Sequence, residues 1–160
     1  MIKKPLLLLL LVSSFSYCQK NFPNLTVNNI DGSKLNLNEV STNNIILISF
    51  WATWCNPCID ELDTFNAMHN DLKNIYHTKH IAISIDDSRS YSRVVPMVKG
   101  KQWNFDVAID KNQKSKRLLN ILVIPHTMIV YKNKIIYEHT GFVDGDENII
   151  IKKLKVLNEQ

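Results

Sequence analysis

The run "NIILISFW", Asn44 to Trp51, is followed after Ala52 and Thr53 by "WCNPC", Trp54 to Cys58. No other feature limits the fold of this chain as tightly. The run is nearly free of polar residues and rich in strand formers, the pattern of a central strand covered on both faces. From Pro57 onward Ile59, Leu62, Phe65, Met68, His69 and Leu72 recur every three to four residues, which is a helical period, and proline suits a first helical turn. Asp60, Glu61 and Asp63 crowd the start of that helix, the end at which a helix favours negative charge. Cys55 and Cys58 therefore stand where a buried strand hands over to a helix.

The remaining segments extend this pattern. "FPNLTVNNIDGSKLNLNEV" reads as a hairpin about Asp31-Gly32, laid ahead of the main fold. "HIAISID", His80 to Asp86, is a second buried strand, "SYSRVVPMVKGK" a helix complicated by Pro96, and "NFDVAID" a short third strand. A short helix near Lys114 to Leu119 precedes two strands, Thr127 to Tyr131 and Ile135 to His139, which flank Lys132-Asn133-Lys134 as a hairpin. "DENIIIKKLKVL" closes the chain as a helix with an apolar face of Ile149, Ile150, Leu154 and Leu157. Alternating strands and helices followed by a hairpin and a helix give an α/β sandwich with a mixed sheet, its early strands parallel through right-handed crossovers. Ligand chemistry in such sheets lies beyond the carboxyl ends of the strands, where Cys55 falls.

The first residues have a different character. Lys3 and Lys4 precede an unbroken apolar run from Leu6 to Val12, which Ser13, Ser14 and Ser16 end well short of a membrane span. This is the layout of an export signal, expected to occupy residues 1–18 and to leave 19–160 as a single domain. Cleavage before Gln19 gives a soluble product; lipidation of Cys18 or an uncleaved segment gives an anchored one. Either way Cys18 leaves the folded domain, and three cysteines reduce to one pair. A bridge closing so short a loop restricts the unfolded chain only slightly, which points to a working pair in an exported protein. Loss of Lys3 and Lys4 lowers the formal charge from +4 to +2. With no basic run or aromatic ladder, nucleic acid is excluded as the expected partner.

A thiolate attacks a disulfide sulfur far better than a thiol, and a helix start stabilises the thiolate. Cys55 has that position, while Cys58, one turn further in, can resolve a mixed disulfide. Pro57 stiffens the turn and removes an N–H that would have little to bond. The same spacing begins a c-type haem attachment, which requires His after the second cysteine, whereas position 59 is Ile. Zinc would need two further ligands from His69, His77, His80, His126 and His139, none of which is joined by a second CxxC.

"FWATWCNPC" together with "VIPHTMIV" resembles the thioredoxin superfamily, and the export signal, "CIDE" and the long middle segment resemble its TlpA/ResA branch of thiol-disulfide oxidoreductases. The resemblance covers about Phe22 to the end. It implies a thioredoxin-like three-layer α/β sandwich: a mixed central sheet with helices on both faces, an N-terminal β-hairpin and an extra helix and strand at roughly Ser88 to Ile109. It implies Cys55 as exposed nucleophile, Cys58 as resolving thiol, and Glu61 as an acid that tunes their protonation, against the plain alternative of a solvated acid near a helix start. Pro125 matches the family's cis-proline, and with Ile124, Trp54, Pro57 and His126 it would line the substrate surface, the backbone pairing with a client chain like an added strand.

Three departures stand out. Thioredoxins carry a buried Asp six residues before the nucleophile, and here Ser49 stands there; Asp63 replaces a kinking proline, so a straighter helix is expected; His126 follows Pro125 in place of Thr, and a protonated ring there would favour the thiolate. The expected activity is exchange of protein disulfides in the periplasm, in the direction of reduction. It would use no organic cofactor and no metal, and a monomer would take electrons from a membrane donor and pass them to disulfide-containing client proteins. The rival readings are a copper- or zinc-handling protein on the same fold, a peroxiredoxin-like peroxidase and a non-catalytic binding module that kept the fold. The second normally wants Thr where Ala52 stands.

Overall fold

The computed structural model describes residues 20–159, so the expected signal and Cys18 lie outside the described residues. Among these residues eight strands form one mixed sheet: β1 Lys20–Asn21, β2 Thr26–Asn29, β3 Lys34–Asn36, β4 Ile45–Trp51, β5 Thr78–Ser84, β6 Asp106–Ile109, β7 His126–Tyr131 and β8 Lys134–Thr140. Their order across the sheet is β1-β8-β7-β4-β5-β6-β2-β3. β4, β5 and β6 run parallel, and β7 lies antiparallel to β4. β4 is buried at every position, as its composition requires of the middle of a sandwich.

The helices are α1 Leu37–Asn43, α2 Asn56–Ala67, α3 His69–Asn74, α4 Val94–Lys101, α5 Lys114–Leu118 and α6 Asp146–Asn158. Ile45 and Leu47 of β4 and Ile129 of β7 pack with Phe65 of α2, Leu72 of α3, and Ile150 and Leu154 of α6. The alternate residues Ile46, Ile48 and Phe50 pack in a larger cluster with Leu37 of α1. Helices thus cover both faces of the sheet, the thioredoxin-like sandwich that the sequence implies. Pro96 is the third residue of α4, where its missing N–H removes no intrahelical bond.

Several sequence expectations are corrected. The hairpin of β2 and β3 is no separate prelude: β2 pairs with β6, so the hairpin extends the central sheet. α1 is absent from the sequence reading; Asn36 caps it by accepting from the N–H groups of Asn38 and Glu39, while its Nδ2 donates to Glu39 Oε1 at 3.0 Å. α2 begins at Asn56, and its first turn holds no acid, so Asp60, Glu61 and Asp63 act through contacts of their own rather than through the helix end. The helix passes Asp63 unbroken but ends at Met68, where α3 starts afresh. Asp63 instead binds Lys101 Nζ at 2.6 Å and Trp103 Nε1 at 2.8 Å, tying α2 to the segment after α4. Ile149 does not belong to the apolar face of α6: it is 44% exposed, and Ile151 takes part in its stead, beside the expected Ile150, Leu154 and Leu157. One residue is about a quarter-turn of helix, which carries Ile149 off the stripe set by Ile150 and Leu154. The β7–β8 turn needs only Lys132 and Asn133, both at positive φ (48° and 58°), the tight form that suits twisted strands.

Candidate active site

The chain leaves β4 at Trp51, whose carbonyl accepts from the N–H of Ile85 at 2.9 Å. The loop that follows is moored by Asp86. Its buried carboxylate accepts from Thr53 N at 2.9 Å, Thr53 Oγ1 at 2.7 Å and Ser84 Oγ at 2.7 Å. Neither Asp86 nor Thr53 emerges from the sequence as a site residue. The available signal is an acid closing the otherwise apolar run "HIAISID", a place where a carboxylate needs several donors to be buried at all.

So moored, the loop presents Cys55 as the residue capping α2, its N–H donating to Ala52 O at 3.0 Å and its carbonyl accepting from Ile59 N at 3.2 Å. Cys55 and Cys58 form a disulfide of 2.02 Å with Cα atoms 5.3 Å apart. Of the two, Cys55 retains 7% exposure and Cys58 none. Unpaired N–H groups of the first turn and the positive end of the helix surround Cys55, the environment that lowers a thiol pKa once the bond is reduced. After reduction, alkylation at neutral pH is expected to label Cys55 first and Cys58 only slowly, as read by mass spectrometry of quenched samples. Equal labelling rates would contradict this asymmetry.

The β4–β7 register pairs Phe50 with His126, which brings Ile124 and Pro125 to the cysteine end of the sheet. The Ile124–Pro125 peptide bond is cis. Pro125 is buried and its carbonyl accepts from Gly141 N at 2.8 Å, whereas no backbone hydrogen bond among the described residues engages the half-buried Ile124. Trp54 is 59% exposed, and Asn56 and Pro57 are exposed beside it. Leu122 and Val123, unmarked by the sequence reading, are 81% and 59% exposed just before Ile124. His126 is half-buried, with Nδ1 at 2.8 Å from Thr140 Oγ1 on β8. Burial lowers its pKa; the charge of Glu138 opposes that shift, and Lys20 and His139 reinforce it. The balance favours the neutral ring over the protonated one the sequence reading entertained.

Glu61 lies one turn beyond Cys58 on the same face of α2 and is 2% exposed, so it is not a solvated acid. Thr127 Oγ1 lies 2.8 Å from its Oε1, and Oε2 has no partner among the described residues. Burial pushes its pKa up to about 8; the Thr127 hydrogen bond opposes that rise, and the charge of Asp146 adds to it. Ser49, in the position of the family's aspartate, is fully buried beside Thr127. The site therefore joins a cysteine at a helix start that is largely buried rather than exposed as expected, a fully sealed one a turn inside, and a buried acid poised near neutral pH.

The AhpC/TSA family model matches residues 18–139. A thiol-disulfide oxidoreductase ResA of Bacillus cereus is 30% identical over 127 residues, spanning 76% of this chain and 70% of that protein. A thioredoxin-like protein of Porphyromonas gingivalis, solved in solution, is 35% identical with a TM-score of 0.73, over 85% of this chain and 90% of that one. StoA of Bacillus subtilis, at 17% identity and a TM-score of 0.67 over 83% and 96% of the two chains, shares the fold. With a thioredoxin fold, a Cys55–Cys58 disulfide at its helix junction and these relatives, the chain belongs to the AhpC/TSA family as a ResA-like thiol-disulfide oxidoreductase.

Proposed function

We propose that this oxidoreductase is exported by residues 1–18, works in the periplasm as one thioredoxin-like domain of residues 19–160, and reduces disulfides of client proteins. Its Cys55 thiolate attacks a client sulfur; the client S–S bond breaks and its second sulfur departs as a thiolate. In molecules whose Glu61 is ionised, Cys58 then gives its proton to that carboxylate and attacks Cys55, releasing the other client sulfur and closing the Cys55–Cys58 disulfide. Two electrons have passed to the client, and a membrane donor restores them. The asymmetry of the pair carries this reading: one cysteine retains a little exposure, while the other is sealed one helical turn from a buried acid.

The direction is supported by charge. An oxidant needs its reduced form strongly stabilised, and "SFWATWCNPCIDEL" contains no Lys, Arg or His. The client would lie over Trp54 and Pro57, against Ile124, Pro125 and His126, with Leu122 and Val123 widening the apolar surface. The free backbone at Ile124 suits pairing with an extended chain.

A Cys58→Ser variant expressed in an exporting cell is expected to accumulate thiol-reversible adducts with periplasmic proteins, all of them absent when Cys55 is also replaced. A trap that stays empty, with stoichiometric copper or zinc on the purified protein, would overturn the reading in favour of metal handling.

A further inference from the structure

Beneath α2, four buried polar side chains stand in one hydrogen-bonded row. Thr127 Oγ1 lies 2.8 Å from Glu61 Oε1 and 3.1 Å from Ser49 Oγ, and Ser49 Oγ lies 3.2 Å from His80 Nε2. Strand register builds the row: Thr127 pairs with Ser49, and His80 pairs with Leu47, which shares a face of β4 with Ser49. Exposures are 2% for Glu61, 1% for Thr127, 0% for Ser49 and 3% for His80. The rings of Phe65 and Phe105 pack on His80 with centroids at 5.3 and 4.3 Å. The row ends on two atoms without partners among the described residues, Glu61 Oε2 and His80 Nδ1.

Each hydroxyl carries one proton, so all donors along the row must point the same way. An ionised Glu61 only accepts: Thr127 donates to it, Ser49 donates to Thr127, and His80 must donate from Nε2. A protonated Glu61 that donates to Thr127 reverses both hydroxyls, and His80 Nε2 must then accept, with the ring proton on Nδ1. The same four side chains thus solvate either charge state of the acid.

We propose that Glu61 and His80 are the two ends of one proton relay through Thr127 and Ser49, in which the charge of Glu61 and the tautomer of His80 switch together. The proposal rests on the reading above only in taking Cys58 as the source of the proton. A proton received by Glu61 moves on by three transfers: Glu61 to Thr127, Thr127 to Ser49, and Ser49 to His80 Nε2. As Nε2 takes up this proton, Nδ1 gives its own to water entering the pocket that His80 borders, so the ring stays neutral and Glu61 is left as a carboxylate. His80 borders a pocket of about 400 Å³ shared with His69, Lys73, His77, Lys79 and Asp106, an outlet far from the client surface.

Glu61 is faced by Thr127 of β7 and the charge of Asp146 on α6, with Cys58 one turn before it on its own helix; His80 is faced by His69 of α3 and by the charged groups of the pocket. Burial, with His69 adding to it, pushes the His80 pKa down to about 3, so the ring stays neutral at rest and only its tautomer has to change.

Nitrogen NMR of the disulfide form, with ¹⁵N in the histidine rings and ¹³C in the glutamate carboxyls, tests the coupling whether or not the cysteines exchange with clients. His80 is expected to carry its proton on Nδ1 below the Glu61 midpoint, about pH 8, and on Nε2 above it. In Ser49→Ala the carboxyl should still titrate while the tautomer stays fixed, and Ser49→Thr should restore the switch. In Glu61→Gln the tautomer should be independent of pH. A His80 tautomer that is the same on both sides of the Glu61 midpoint in the parent protein, or a switch that survives Ser49→Ala, overturns the relay.

Discussion

At about pH 9, Glu61→Gln is expected to be more stable than the parent protein by an amount on the order of 4 kcal/mol. The folded chain raises the Glu61 pKa from 4.5 to about 8, chiefly by burial. Native protein therefore binds this proton more tightly than unfolded protein, so stability falls as pH rises through that window and the loss is complete above it. His80 has the opposite sign. Burial lowers its pKa from 6.5 to about 3, so the unfolded chain takes up the proton first and stability is lost as pH falls from 6.5 towards 3. Between pH 4.5 and 6.5 the two slopes oppose each other, and these groups give a plateau with a decline on either side. Urea unfolding at about pH 5.5, 7.5 and 9 would measure this. Parallel curves for parent and variant from neutral to alkaline pH would show that Glu61 is not held in its protonated form.

Asp86→Asn is expected to cost about 3 kcal/mol and to lower the rate of disulfide exchange as well. The carboxylate receives three donors on two oxygens in a site with no exposure. Asparagine keeps one acceptor and turns an NH₂ toward groups that also donate, so the near-isosteric change leaves buried donors unpaired. Because Thr53 is one of the groups held, the loop carrying Trp54 to Cys55 loses its mooring along with the stability. Denaturant midpoints paired with insulin reduction rates separate the two losses. A variant as stable and as fast as the parent would mean that Asp86 does not set the loop.

The strand-to-helix junction was legible because a long apolar run and a proline have local meanings that tertiary context seldom reverses. Cys55 and Cys58 stand out from their neighbours, whereas Pro125 is named only through the resemblance that "VIPHTMIV" carries. The burial of Glu61 could not: an acid near a helix start reads as solvated, and it is β7 and α6, distant in sequence, that cover it. Ser49 stood out as a departure, yet its partner His80 depends on which strands are adjacent, a matter of register that periodicity does not reveal. The pairing of β2 with β6 is hidden for the same reason. α1 escaped because seven residues hold too few turns for a hydrophobic period, although Asn36 and Glu39 mark its start three residues apart.

The sheet's outermost members are stubs. β1 has two residues and β3 three, each carrying a lysine, Lys20 and Lys34. A stray polypeptide looking for a long margin of free amides to zip onto finds neither side inviting. The unengaged backbone at Ile124 lies instead at the pole where the sulfurs are, so a wandering strand that docks there does so within reach of the chemistry.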